Sequence, residues 1–202
     1  MPYSQHEEET IIVEMLGATR QVGHFLDVGA YDGKTFSNTL RLVELGWSGV
    51  CVEPSPSVFP ALLKLHCDNP KIVVVNTAVA PSPGFIDFYD SNGDALSTFN
   101  EAHRKRWAQS AQVPFRKMSL YAVNWAMLFG AFSYLFDFIN LDVEGISADL
   151  FMQLPLQRLA TTKALIVEHD GRLAEIQQHA AQFGFQYHWH NNENLILERT
   201  FR

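Results

Sequence analysis

Cysteine is nearly missing from this chain: 202 residues hold two, Cys51 and Cys67. Two cysteines cannot build the bridge framework on which small secreted folds depend, and both read as small buried hydrophobes. Positive charge is scarce as well. Fifteen Lys and Arg stand against 22 Asp and Glu, a formal net charge of −7. The cluster Arg104-Lys105-Arg106 is short and reads as a solvated helix face. Without a basic stripe the chain lacks the phosphate contacts that nucleic acid demands, so no nucleic-acid partner is expected. Long apolar runs are missing too. The nearest, 125–141, is broken by Gly130, Asp137 and Asn140, which leaves no span for a bilayer. The opening residues have neither the positive region nor the apolar stretch of a signal peptide. The expectation is a cytoplasmic protein with no membrane partner; oligomeric state stays open.

What is present is a βα rhythm. With 47% hydrophobic residues, the length fits one α/β domain over 1–202 with a full core. A first helix, within 1–20, is predicted from Ser4, with Ile11, Ile12, Met15 and Leu16 inward. Strands are predicted at 23–28, 49–52, 72–75, 138–143 and 165–167. Helices are predicted around Phe36, Leu40 and Val43, around Val58, Leu62 and Leu65, around Leu120, Val123 and Met127, and around Leu173, Ile176, Ala180 and Phe183. Phe85 to Tyr89 reads as an edge strand, 96–110 as partly helical, and 91–116 as a segment able to cover an acceptor. Runs 185–190 and 195–198, separated by Asn191 to Asn194, predict a hairpin. The sum is a mostly parallel seven-stranded sheet with a C-terminal antiparallel hairpin and helices on both faces, with ligands at the carboxyl ends of the strands.

The strongest motif is Asp27-Val-Gly-Ala-Tyr-Asp-Gly33. Its acid closes a strand, Gly29 lets the backbone approach a ligand, and Gly33 is read as opening a helix. A dinucleotide site needs a Gly-x-Gly-x-x-Gly cradle for its pyrophosphate. Here there are two glycines and two acids, which would repel a pyrophosphate. S-adenosylmethionine, cationic and free of phosphate, suits the charge better. Glu53 ends the second strand, where an acid reaches the ribose hydroxyls of an adenosine. Pro54-Ser-Pro56 follows, and Asn76-Thr-Ala78 ends the third strand with Asn76 able to bond an adenine edge or to serve a turn.

Together Phe25-Leu-Asp-Val-Gly-Ala-Tyr-Asp-Gly33, Val52-Glu-Pro-Ser-Pro56, Val75-Asn-Thr-Ala-Val79 and Ile139-Asn-Leu-Asp-Val-Glu-Gly145 resemble the FkbM-type methyltransferases, as does Tyr3-Ser-Gln5 followed by Glu8-Glu9. The resemblance implies a Rossmann-like class I methyltransferase, S-adenosylmethionine as donor, and O-methylation of a hydroxyl on a sugar, glycan or small natural product. It implies donor contacts at Asp27, Gly29, Glu53 and Asn76 and site roles for Asp142 and Glu144. Gln5, Ala30, Asp32, Ser37, Pro54, Ser55, Ala78 and Asp142 complete the expected donor site. The chain departs from the family pattern at Glu7, usually glycine, at Asn140, usually lysine, and at Leu96-Ser-Thr98, usually Ser-Ser-Leu.

An aliphatic hydroxyl needs a base or a metal before it attacks. Asp142-Val-Glu144 closes the fourth strand and Glu168-His-Asp170 the fifth. Alternation puts Asp142 and Glu144 on one side, about 5 Å from the neighbouring strand. Either His169 or Asp142 takes the proton, with Glu144 nearby, or Asp142, Glu144 and Glu168 hold Mg²⁺ or Mn²⁺. His169 also reads as a turn residue before Asp170-Gly171. His188-Trp189-His190 reads as hairpin decoration or a stacking surface for a sugar. Competing functions are a nicotinamide oxidoreductase on the same fold class and a non-catalytic cofactor binder.

Overall fold

The computed structural model describes residues 2–17, 20–132 and 135–200. Seven strands form the main sheet: β1 (His24–Val28), β2 (Ser48–Val52), β3 (Ile72–Val75), β7 (Phe138–Leu141), β8 (Ala164–Glu168), β9 (Phe185–His190) and β10 (Asn194–Arg199). Their order is β3-β2-β1-β7-β8-β10-β9. The first five are parallel, and β10 runs antiparallel to both β8 and β9. The central strands are apolar on both faces because both are covered. Alternation sends Leu26, Val28, Val50 and Ile139 into one core, with α5 (Trp125–Gly130), α6 (Ser147–Gln153) and α7 (Leu173–Ala181). It sends Phe25, Cys51, Phe138 and Ile166 into the other, with α1 (Glu8–Leu16), α2 (Leu40–Glu44) and α3 (Phe59–His66).

A second, three-stranded sheet stands beside the first: β4 (Ala78–Val79), β6 (Arg116–Val123) and β5 (Gly84–Asp90), in the order β4-β6-β5. The edge strand expected around Phe85 is therefore the edge of this smaller sheet. The helix expected around Leu120 and Val123 is a strand. Its apolar residues Met118, Leu120 and Ala122 alternate, and Asn124 caps the separate helix that holds Met127, its side chain accepting from the Met127 N–H at 3.0 Å. The spacing of Leu120, Val123 and Met127 imitated one helix by straddling a strand and the next element. The last segment to place is α4 (Glu101–Ser110), inside the partly helical stretch.

Other boundaries moved for local reasons. α1 starts at Glu8, because Ser4 bridges to Phe36 and its hydroxyl accepts the Glu9 N–H. Gly33 does not open a helix. A Cβ there would lie 2.7 Å from Leu62, so the glycine admits α3, and α2 waits until Leu40, where the Ser37 hydroxyl accepts the backbone N–H groups of Thr39 and Leu40. Phe36 consequently sits outside that helix, exposed, at a φ of 58°. Cys51 is buried as expected, whereas Cys67 is exposed. No described helix is long and apolar enough to cross a membrane.

The loop after β1 is wedged between its neighbours. The N–H groups of Gly29 and Ala30 donate to the Val52 carbonyl at 2.9 and 3.0 Å, and the Asp142 N–H donates to Val28 at 2.9 Å. A Cβ on Gly29 would fall 1.6 Å from the Asp142 carbonyl oxygen, and its φ of 89° is left-handed. Gly29 is thus required by the backbone of the loop that follows the strand ending at Leu141. Gly29→Ala is expected to destabilise the fold by on the order of 3 kcal/mol, a fall in melting temperature of roughly 6–12 °C. Wild-type thermal stability in that variant would refute the packing account.

Candidate functional site

The carboxyl ends of β1, β2 and β7 open into a cavity. Register sets its centre. Asp27 pairs laterally with Asn140, whose Nδ2 donates to Asp27 Oδ1 at 2.8 Å, while Thr39 Oγ1 donates to Asp27 Oδ2 at 2.6 Å. Asn38 Nδ2 donates to Asn140 Oδ1 at 3.0 Å, and Asn38 Oδ1, buried on the cavity wall, has no partner. Glu53 closes β2 and is held by two backbone donors, Tyr31 N–H at 2.9 Å and Ser55 N–H at 2.7 Å. The acids Asp27, Glu53, Asp94, Asp142 and Glu144 line this cavity, and no Lys, Arg or His does, among the described residues. Val58, Val79 and Phe88 add apolar wall.

Burial without a counter-cation raises Asp27, Glu53 and Asp142 of these acids, and Glu168 nearby. Glu53 is pushed up to about 7, chiefly by burial and also by Asp27 and Asp90, against the pull of its two N–H donors. Burial raises Asp27, opposed by its Thr39 and Asn140 bonds. Asp142 goes well above the ordinary carboxylate range through burial and the nearby charges of Glu168, Glu144, Asp27 and Glu193. Burial, Glu144 and Asp170 raise Glu168, while hydrogen bonds from Ser147 and Gly145 oppose the shift.

A second, larger cavity adjoins the first and shares with it Gln5, Phe36, Asp94, Ala95, Asp142 and Glu144. Its further walls include His103, Arg106 and Trp107 from α4, Glu168 at the end of β8 and Asp170 after it, and Glu193 from the hairpin turn. Segment 94–107 thus forms one side of this space.

Of the residues expected from sequence, Gln5, Asp27, Gly29, Ala30, Ser37, Glu53, Pro54, Ser55, Ala78 and Asp142 line the first cavity. Two do not. Asp32 turns to its own loop, accepting the N–H groups of Lys34 and Thr35 at 2.8 and 2.7 Å. Asn76 is spent on backbone, its Nδ2 donating to the carbonyls of Glu53 and Pro54 at 2.8 and 3.3 Å. Asp142 and Glu144 are not alternating strand residues, since β7 stops at Leu141 and Glu144 turns to a φ of 42°; both still reach the junction of the cavities.

His169 is brought to neither cavity. It is 9% exposed, its Nδ1 accepts the Gly171 N–H at 3.1 Å and its Nε2 lies 3.2 Å from the Asn191 carbonyl. Both ring nitrogens face backbone groups of the turn. Among the described residues no three His, Cys, Asp or Glu side chains assemble as a metal site, so Asp142, Glu144 and Glu168 do not form the cation site considered from sequence. His188, Trp189 and His190 line neither cavity; His188 faces Glu198 at 3.1 Å and Trp189 packs on the core. The residues that sequence reading missed are Asn38, Asn140 and His103. Asn140 carried one signal, its departure from the lysine of the family pattern; the others carried none.

Residues 27–191 match the model of the methyltransferase FkbM domain. The chain belongs to the FkbM methyltransferase family. No curated protein matches it. Among solved structures, the FkbM chain is similar to precorrin-6y C5,15-methyltransferase from Geobacter metallireducens, at 9% identity and a TM-score of 0.50, covering 95% of this chain and 88% of that one. It also matches the ribosomal protein L11 methylase of Lactobacillus delbrueckii subsp. bulgaricus, at 16% identity and a TM-score of 0.47, covering 96% and 80%. The first likeness shows the fold, the Rossmann-like sheet of class I methyltransferases. A nicotinamide oxidoreductase, the rival suggested by fold class, is set aside by the family match.

The raised acids make a pH prediction. A carboxyl whose proton is held more tightly in the folded state contributes stability that is complete below its unfolded value and lost as pH rises through the folded value. For Glu53 that window runs from its ordinary 4.5 to about 7. The ligand-free FkbM protein is expected to melt at progressively lower temperature as pH rises through this window, and Glu53→Gln to flatten the slope. A melting temperature that climbs over the same interval would contradict the assignment.

Proposed function

We propose that this chain is an S-adenosylmethionine-dependent O-methyltransferase acting on a hydroxyl of a sugar, glycan or small natural product. The single observation that carries the reading is a first cavity walled by five acids and, among the described residues, no basic side chain. A ligand that enters must tolerate or neutralise that field. S-adenosylmethionine carries an ammonium and a sulfonium and has no phosphate, whereas a dinucleotide would bring two phosphate charges against Asp27 and Glu53.

The residues present fit the donor. Glu53 supplies a carboxyl for ribose hydroxyls, Val58, Val79 and Phe88 supply apolar wall for the base, and Asp27, Asp142 and the unpartnered Asn38 Oδ1 supply acceptors for an ammonium. When bound, the donor supplies an electrophilic methyl group and leaves as a neutral thioether. The chain's own residues do the remainder. Asp142 and Glu144, at the junction, face both cavities and give an approaching acceptor a place to lodge its hydroxyl in line with the methyl. Proton acceptors at that junction favour oxygen as the nucleophile, because a hydroxyl sheds a proton when it is methylated. The second cavity, with Trp107 on one side and several carboxylates on the other, suits a polyhydroxylated acceptor that stacks one face and donates its hydroxyls. The same acids disfavour a phosphate backbone, and unpaired Cys51 and Cys67 accord with a cytoplasmic setting.

Calorimetry with S-adenosylmethionine tests the donor half. Asp27→Asn and Glu53→Gln keep shape and remove charge, and each is expected to weaken binding by roughly 10- to 100-fold, the worth of a hydrogen bond to a charged group. Unchanged affinity in both, or tighter binding of a nicotinamide dinucleotide, would overturn the reading. Methyl-labelled donor incubated with a panel of methyl glycosides and phenolic natural products is expected to label an oxygen.

A further inference from the structure

The second cavity holds an imidazole that no motif announces. His103, in the first turn of α4, is 6% exposed and lines that cavity. Its Nε2 stands 3.2 Å from Glu144 Oε2, close but not aligned as a hydrogen bond. Catalytic pairs are often loose before the reactants bind and tighten in their presence.

The approach of these two groups is built by several contacts. The Asn100 side-chain oxygen caps α4, accepting the N–H groups of Ala102 and His103 at 2.9 and 3.1 Å. Its Nδ2 donates to the Gly145 carbonyl at 2.6 Å. Thr98 Oγ1 donates to the Glu144 carbonyl at 2.7 Å. Asn100 therefore joins the helix that carries the imidazole to the loop that carries the carboxylate. Glu144 is forced left-handed, at a φ of 42°, a strained conformation that surrounding contacts must hold. The ring also leaves no room for a side chain at Gly145, where a Cβ would lie 2.7 Å from His103 Nδ1.

We propose that His103 is the catalytic base of the methyl transfer and that Glu144 orients it. The proposal rests on the O-methyltransferase reading above. The acceptor oxygen bonds to the methyl carbon while the carbon–sulfur bond breaks and its electron pair stays on sulfur. The hydroxyl proton passes to His103. A neutral ring that donates to Glu144 through Nε2 carries its lone pair on Nδ1, so Nδ1 receives the proton and the carboxylate stabilises the imidazolium. His169, with both nitrogens tied to backbone, does not compete for this role.

Long-range proton–nitrogen NMR on histidine-labelled protein reads the tautomer with no acceptor present, the His103 signals being those absent from His103→Gln. The Nε2–H form is expected in the wild type and its preference is expected to vanish in Glu144→Gln; an Nδ1–H ring in the wild type overturns the pair. Calorimetry with S-adenosylmethionine is expected to give His103→Gln the wild-type donor affinity. Loss of donor binding in that variant would place the ring in the donor site and overturn the assignment. With a methyl glycoside that the wild type methylates, kcat of His103→Gln is expected to fall by about 10²–10⁴ at unchanged KM, and added imidazole to restore part of the rate of His103→Ala. An unchanged kcat sinks the proposal. A wild type that binds no donor defeats the O-methyltransferase reading instead, while the tautomer still reports on the pair.

Discussion

The carbonyl oxygen of Asp142 occupies the space that any side chain at residue 29 would need, and the site is built around that contact. It forces glycine at the end of β1 and allows β1 and β7 to finish side by side. It also sets Asp27 beside Asn140, in the register that lets one donate to the other. The loop that follows is then pinned between the Val52 carbonyl on one side and the chain leaving β7 on the other. The first cavity is the space left above this junction, and its shape depends on the close approach of two backbones more than on any ligand.

Charge gives that space its character. Asp27 has two neutral donors, Glu53 two backbone N–H groups, and neither has a cation. Such bonds satisfy the carboxylates without neutralising them, and burial in the absence of a positive partner pushes the acids upward. Folding therefore stores an unfavourable field at the strand ends. The loop after β7 is braced in the same economical way. The Ser147 hydroxyl accepts the Val143 N–H at 2.9 Å and donates to Glu168 at 2.9 Å, and Asp170 accepts the Ala148 N–H at 2.9 Å. Acids at the strand ends thus serve the backbone and face the cavities at once.

Much of the first cavity's lining was legible because its information is local in the chain. Asp27, Gly29 and Glu53 sit at the ends of consecutive parallel strands, and such strands must terminate together. Asp32 and Asn76 were misread for a related reason. Short polar residues at strand ends serve turns as readily as ligands, and the chain cannot say which until the backbone is closed. Gly29 was identified with a different cause: a ligand was the stated reason for its missing Cβ, and the obstacle is the backbone of the loop after β7. His169 and His103 show the other limit. One lies in a conspicuous acidic run and is consumed by the hairpin turn. The other lies in an unpatterned helix and is carried to Glu144 by Asn100 and Thr98.

By itself the sequence determined the parallel sheet with its terminal hairpin, the acidic strand ends, the glycine-bearing loop after β1 and the family, because strand periodicity, glycine placement and net charge are properties of neighbouring residues. Tertiary structure decided that Leu120 and Val123 lie in a second sheet, that Glu144 turns left-handed, and that an imidazole from α4 meets a carboxylate from the β7 loop. The physical reason is contact order. His103 and Glu144 are 41 positions apart, and groups separated by that much chain become neighbours only when caps, bridges and packed faces have fixed the path between them.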